Sequence, residues 1–191
     1  MARKTHESRG VKGLIGLLLP GEAETVLETL ANRNQELADL VSGTILNLIK
    51  KINREEVAAG ALAAFQAITV DELYDKLSTE MRDTYDYPGE VMGELINRIL
   101  EPQVVRMVRC LWQGLDMVAD EIVTGLLESL HGYDQEISSE MDEMLDGRLS
   151  EIAHLSVFKP WNDYRGEEGR EKVETFVKEK LTGWKWMLEE E

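Results

Sequence analysis

Two Glu-x-x-His pairs are the residues whose spacing is most suited to chemistry in this sequence. Glu128 precedes His131 by three residues, and Glu151 precedes His154 by the same interval. On a helix this spacing places a carboxylate and an imidazole on one face. Two helices of a ferritin-like di-iron bundle each contribute such a pair. One functional hypothesis is therefore a di-metal carboxylate enzyme or metal carrier of the helical-bundle class.

Several features of the sequence weigh against a metal centre. A di-metal site needs two further inward glutamates, for which Glu94 and Glu121 are the candidates. His131 directly precedes Gly132, at a predicted helix end where an imidazole interacts favourably with the helix dipole. The two pairs are also close together in a chain rich in glutamate. We therefore expect no metal and no other cofactor.

Other catalytic arrangements are not predicted. Cys110, the only cysteine, lies on an apolar-periodic helix without a histidine within one turn, so we interpret it as a small core residue. Gly10, Gly13 and Gly16 lack the lysine-serine pair of a phosphate-binding loop. The acidic residues around Glu140 have helical spacing, whereas a calcium-binding loop needs oxygen ligands at alternating positions. They indicate the solvent-exposed face of a helix. The sequence thus predicts a protein that is not an enzyme.

Aromatic residues near the C-terminus are candidates for partner contacts, because exposed Trp and Tyr are typical of protein interfaces. Trp161 and Tyr164 fall in a stretch from 156 to 169 that we predict to be irregular. Trp186 falls on the opposite side of the last predicted helix from Trp184, which we assign to the core. For Trp161 a second interpretation is open, namely that it closes one end of the helical stack.

The net charge of −16 on 191 residues restricts the partners. Such a field repels phosphate backbones and anionic lipid surfaces, so we expect no nucleic-acid binding and no membrane binding. Residues 1–12 form a basic arm, with four basic residues against Glu7. The single cysteine and the lack of a long apolar stretch predict a cytoplasmic location.

Helical periodicity continues along the whole chain, and no stretch alternates with period two, so the sequence predicts an all-α protein. We expect one helical domain over 13–191. Asn53 and Thr69 are predicted helix caps. Pro102 is predicted to end or restart a helix, and the apolar series from 104 to 130 predicts one helix, with Gly114 and Gly125 as weak points, that stops at His131-Gly132. An acidic helix from Asp134 and a last helix over 173–184 complete the prediction.

An internal repeat is suggested at an offset of 50 residues. Val41, Gly43, Asn47 and Ile49 coincide with identical residues in the segment 91–99. The paired glycines predict close helix crossings, since a residue without Cβ lets another backbone approach. The possible repeats cover about 34–83 and 84–133, with C-terminal capping helices over 134–191.

In length and pattern these units resemble HEAT or armadillo-type helical repeats, over about residues 34–131. The resemblance implies an α-solenoid, or superhelix, of stacked helical hairpins. The alternative architecture is a closed helical bundle. With the acidic surface and the aromatic residues, this pattern favours a non-enzymatic adaptor or scaffold that mediates protein–protein interaction. Its expected partner is another protein, through a basic segment or an amphipathic helix, or a second copy of the chain.

Overall fold

The computed structural model describes residues 20–69, 71, 88–137, 142–143, 145, 147–167 and 169–189. These residues form helices and short links with no strand among them, which confirms the all-α prediction. The predicted basic arm (1–12), nearly all of the helix predicted after Thr69 (70 and 72–87) and part of the predicted acidic helix (138–141, 144 and 146) lie outside the described residues. No helix in the described ranges combines the length and apolarity needed to cross a membrane.

Contacts divide the chain into two compact units, the first ending at Lys51 and the second beginning at Ile52. The single helical domain expected over 13–191 stays a prediction. The first unit contains α1 (Pro20–Arg33) and α2 (Gln35–Ile49), which contact each other. Asn34 is the single residue that links the two helices. Its side chain accepts a hydrogen bond from the Leu37 amide at 2.8 Å and so caps the start of α2. No residue of α2 is buried.

The second unit is built on three long helices, α3 (Arg54–Gln66), α4 (Pro88–Trp112) and α5 (Asp116–Glu136). Asn53 caps α3 as predicted, by accepting a hydrogen bond from the Glu56 amide at 2.9 Å. α3 and α5 run parallel, since the start of α3 contacts Glu121 and its last residue, Gln66, bonds Glu136. Twelve of the 21 residues of α5 are buried. α5 contacts both α3 and α4.

The predicted ends of these helices need correction. α4 continues through Pro102, which lies on an exposed part of the helix. The series from 104 to 130 is not one helix, because Gly114 adopts a positive φ of 67°, a left-handed conformation that breaks the helix. α5 continues past His131-Gly132 to Glu136. Burial of Tyr133 against Phe65, with ring centroids 5.6 Å apart, stabilises this last turn.

The stretch predicted to be irregular is also helical. α6 (Leu149–Ile152), a π turn (Ala153–Phe158) and α7 (Lys159–Tyr164) form one continuous segment. In the π turn, the Lys159 amide donates to the His154 carbonyl, five residues back. Pro160 has no N–H, and its ring would crowd the carbonyl four residues back, a conflict that a wider turn relieves. α8 (Glu171–Lys180) and a 3₁₀ turn (Lys185–Leu188) follow, so the last α-helix ends before the predicted residue 184.

The predicted glycine crossings were placed at the wrong residues. A Cβ at Gly43 would meet nothing within 4 Å, and one at Gly93 would make only ordinary contact with Ile152. The close crossing is at Gly125, where a Cβ would lie 2.7 Å from the Arg54 carbonyl oxygen of α3. The helix ends also do not coincide at an offset of 50, since the link 50–53 corresponds to 100–103 inside α4. The repeat and its HEAT-like stacking stay a prediction.

Candidate interaction surface

The two histidines of the Glu-x-x-His pairs pack against different tryptophans. His131 meets the Trp184 ring edge-on with centroids 5.2 Å apart, and its Nε2 lies 3.3 Å from the Thr182 carbonyl oxygen. His154, buried in the π turn, meets Trp186 at 5.3 Å. Both imidazoles therefore contact the C-terminal segment and attach it to the rest of the second unit.

The glutamates of these pairs are directed elsewhere. The Glu128 carboxylate lies 3.1 Å from Arg54 Nε, an ion pair whose geometry falls short of a hydrogen bond. Glu121 accepts hydrogen bonds from Lys172 Nζ at 2.7 Å and from the Arg54 amide at 3.0 Å. Glu151 is exposed. Within the described ranges no group of three or more His, Cys, Asp or Glu could hold a metal, so the structure does not assemble the hypothetical ligand set.

Trp161 is fully buried and donates its indole N–H to Asp120 Oδ1 at 3.0 Å. It is therefore not available as a surface anchor, and the interpretation as a core side chain fits its position. Trp186 is half-buried against His154. Tyr164, by contrast, is 54% exposed. The segment 156–169 thus separates its aromatic residues, because α7 turns Trp161 inward and Tyr164 outward.

A buried ion-pair network fixes the end of α7. Asp120, which is almost fully buried, accepts hydrogen bonds from Trp161 Nε1 and from Arg165 Nε at 3.2 Å. Arg165 also donates to Asp116 Oδ2 at 3.0 Å, and Arg170 donates to the Arg165 carbonyl. Charge-assisted hydrogen bonds of this kind offset the cost of removing Asp120 from water. They hold the chain next to Tyr164 against the start of α5.

Tyr164 and Trp112 form an exposed aromatic pair. With Met117, an exposed residue in the first turn of α5, we call these residues the aromatic patch. The rings of Trp112 and Tyr164 meet edge-on, with centroids 5.8 Å apart and an angle of 83°. Trp112 is 65% exposed and Met117 is 78% exposed. Trp112 was not predicted, since the periodic series passes through residues 111 and 115. The nearby Gly114 was the available signal, because a helix end leaves its last side chains open to water.

A groove, here called the α4 groove, lies between α4 and the helical segment that begins at Leu149. It consists of two adjoining concave spaces of about 470 and 400 Å³. Glu94, Asn97 and Ser156 line both spaces, so they form one depression. Glu94, a hypothetical metal ligand, is therefore a groove residue.

Cys110 shows no sign of nucleophilic activation. Its side chain is buried, and this burial raises the pKa of the thiol, while the charge of Arg106 opposes the rise only in part. A thiol with a raised pKa is a poor nucleophile near neutral pH. The geometry agrees with the interpretation of Cys110 as a small core residue.

Comparison of the chain with protein-family models, with curated proteins and with solved structures finds no match.

Proposed function

We propose that this protein is a non-enzymatic helical adaptor that binds another protein through the aromatic patch. The observation that carries the proposal is the exposed, edge-on pair of Trp112 and Tyr164 beside the buried Arg165 network. Large aromatic side chains contribute most of the binding energy at many interfaces. A pair that is already ordered also loses little conformational entropy when a partner covers it.

The surroundings of the patch favour a protein partner with a mainly apolar contact. Asp116, next to Met117 in the sequence, is paired with Arg165, and Asp163, next to Tyr164, is paired with Lys159 at 3.5 Å. These charges are compensated locally, so the patch differs from the acidic body of the chain. An apolar surface with a polar, charge-balanced rim is the usual anatomy of an interface between proteins.

HEAT-like stacking of hairpins is part of this proposal. It is supported by the parallel course of α3 and α5, because corresponding helices of successive hairpins run parallel in a solenoid. The closed bundle is the alternative, and the contacts of α5 with α3, α4 and α8 favour it. Small-angle scattering separates the two, since a compact chain of 191 residues has a radius of gyration of about 16 Å. A clearly larger value is expected for a solenoid.

The adaptor proposal is tested by site-specific photo-crosslinking in cells. A benzoyl-phenylalanine at Met117 should capture a small set of proteins, and the double change Trp112→Ala, Tyr164→Ala should remove them. Leu40→Ala is the matched control, because Leu40 is as exposed as Trp112 but lies in the first unit. Both substitutions alter exposed side chains, so helix content by circular dichroism should not change. An unchanged set of captured proteins in the double variant would contradict the proposal.

The di-metal alternative gains no support from the described residues. It would require Glu128 to leave Arg54 and the two histidines to leave their tryptophans.

A further inference from the structure

We propose that the α4 groove binds a basic amphipathic helix of another protein. The groove is lined by residues other than those of the aromatic patch, so this inference goes beyond the proposed function. Together the two surfaces would let one chain contact two partners.

The dimensions of the groove suit a helix. Along α4 its lining extends from Gly89 to Val105, a distance of about 24 Å at 1.5 Å per residue. This length accommodates about four helical turns. The opposite wall is the segment around Ile152, which approaches α4 where Gly93 has no side chain: a Cβ there would lie 3.7 Å from Ile152 Cδ1. The groove is thus long and open, unlike an enclosed small-molecule pocket.

Apolar side chains line both walls of the groove, and of these Val105 and Leu155 are exposed while Val104 is half-buried. Val104 and Val105 belong to α4, and Leu155 belongs to the π turn. Leu155 is 52% exposed, although its neighbours His154 and Val157 are buried. Turns of this wide form often occur at functional sites. Here the turn presents a leucine to the groove, at a position where the apolar face of a bound helix would cover it.

The rim of the groove is acidic. Four exposed glutamates line it against two arginines, Arg98 and Arg148, which leaves a local charge of −2: Glu90, Glu94, Glu101 and Glu151. None of these glutamates forms an ion pair with another residue in the described part of the chain. The net charge of the whole chain is −16, which strengthens the negative electrostatic field at the groove. A partner with lysines or arginines on its polar face therefore fits, and an acidic helix does not.

An amphipathic helix satisfies both features at once. Its apolar residues at i, i+3, i+4 and i+7 would cover Val104, Val105 and Leu155, while basic residues beside that stripe would reach the rim glutamates. A second copy of the chain fits less well, since it would bring its own net charge of −16 to an acidic groove.

The test uses a synthetic peptide of 18 residues as the probe, with leucine at i, i+3, i+4 and i+7 and lysine on the other face. Fluorescence anisotropy with the full chain should show binding at low salt, and a peptide with glutamate for lysine should not bind. The change Glu94→Lys, Glu101→Lys should weaken binding at least tenfold. The matched control Glu171→Lys, Glu179→Lys changes the net charge equally on α8 and should weaken it less than threefold.

A second variant tests the apolar floor. Leu155→Ser should weaken binding about fivefold at both low and high salt, since apolar contact is not screened. The proposal would be overturned if the groove and control charge variants lost peptide affinity equally. It would also be overturned if the peptide did not bind the native chain, or if Leu155→Ser left the affinity unchanged. If the peptide bound only after the four basic residues in 1–12 were replaced, the groove would be the site of the chain's own arm. That result would also overturn the proposal. Trp112→Ala should leave peptide binding unchanged, which separates this proposal from the adaptor function.

Discussion

Replacing Gly125 with alanine should destabilise the second unit, because a methyl group there would overlap the backbone of α3. The added Cβ would lie 2.7 Å from the Arg54 carbonyl oxygen and 2.8 Å from Val57 Cβ, both closer than van der Waals contact allows. Overpacking of a well-packed core costs about 1–3 kcal/mol. The better helix propensity of alanine recovers about 1 kcal/mol. The difference is a net loss of about 0–2 kcal/mol, and because a backbone oxygen cannot rotate away we expect the upper half of this range, about 1–2 kcal/mol.

Gly60→Ala is the matched control for this prediction. Gly60 lies inside α3, is exposed, and would give a new Cβ nothing to meet within 4 Å. The same substitution should therefore stabilise the chain by about 0.5–1 kcal/mol through helix propensity alone. The two alanine variants should thus shift the stability in opposite directions.

The assay is urea unfolding followed by tryptophan fluorescence, because all four tryptophans belong to the second unit. The urea midpoint should fall accordingly, and in a matching thermal scan a loss of 1–2 kcal/mol corresponds to a fall in Tm of about 3–8 °C for a unit of this size. If Gly125→Ala unfolded at the same urea concentration as the native chain, or at a higher one, the close crossing of α3 and α5 would be refuted.

Three further predictions concern charge and reactivity. Asp120→Asn should cost about 2–4 kcal/mol in urea unfolding, because the buried Arg165 then keeps only the partly exposed Asp116 as a charge partner, whereas Asp163→Asn at an exposed pair should cost under about 0.5 kcal/mol. The hydrogen bond from Lys172 to Glu121 holds the pKa of that carboxyl below its ordinary value, opposed by burial. Its stabilising effect is therefore present above the ordinary carboxyl pKa and is lost as the pH falls through the lowered value; Glu121→Gln should flatten this acid-side loss in unfolding curves. Cys110 should react with a disulfide reagent at least tenfold more slowly in the native chain than in urea, and equal rates would contradict its burial.

The helices could be predicted from sequence because local physics specifies them. Apolar periodicity placed the long helices, and the caps at Asn34 and Asn53 are visible as a polar residue before each periodic run. The breaks could not be predicted as well. A periodic series is equally compatible with a straight helix and with the reversal at Gly114, and only the positive φ distinguishes them.

The candidate site was predicted only in part, for a related reason. Tyr164 was proposed as a contact residue and is exposed. Trp161 has the same aromatic character, but its burial depends on Asp120, a residue 41 positions away that no local pattern links to it. Trp112 was missed because its exposure follows from where α4 ends. Long-range pairing and helix ends, rather than residue type, decide which aromatic side chains face water.

The reversal at Gly114 has a consequence for how the chain could exchange segments between molecules. The link 113–115 is very short, and the apolar pattern on either side would continue in register along one straight helix. Any other residue at 114 would be strained at a φ of +67°, which favours that straight form. In the straight form, α5 would separate from α4 of its own chain. Its apolar surface could then be buried again only against α4 of a second molecule. We therefore expect replacement of Gly114 to favour domain swapping.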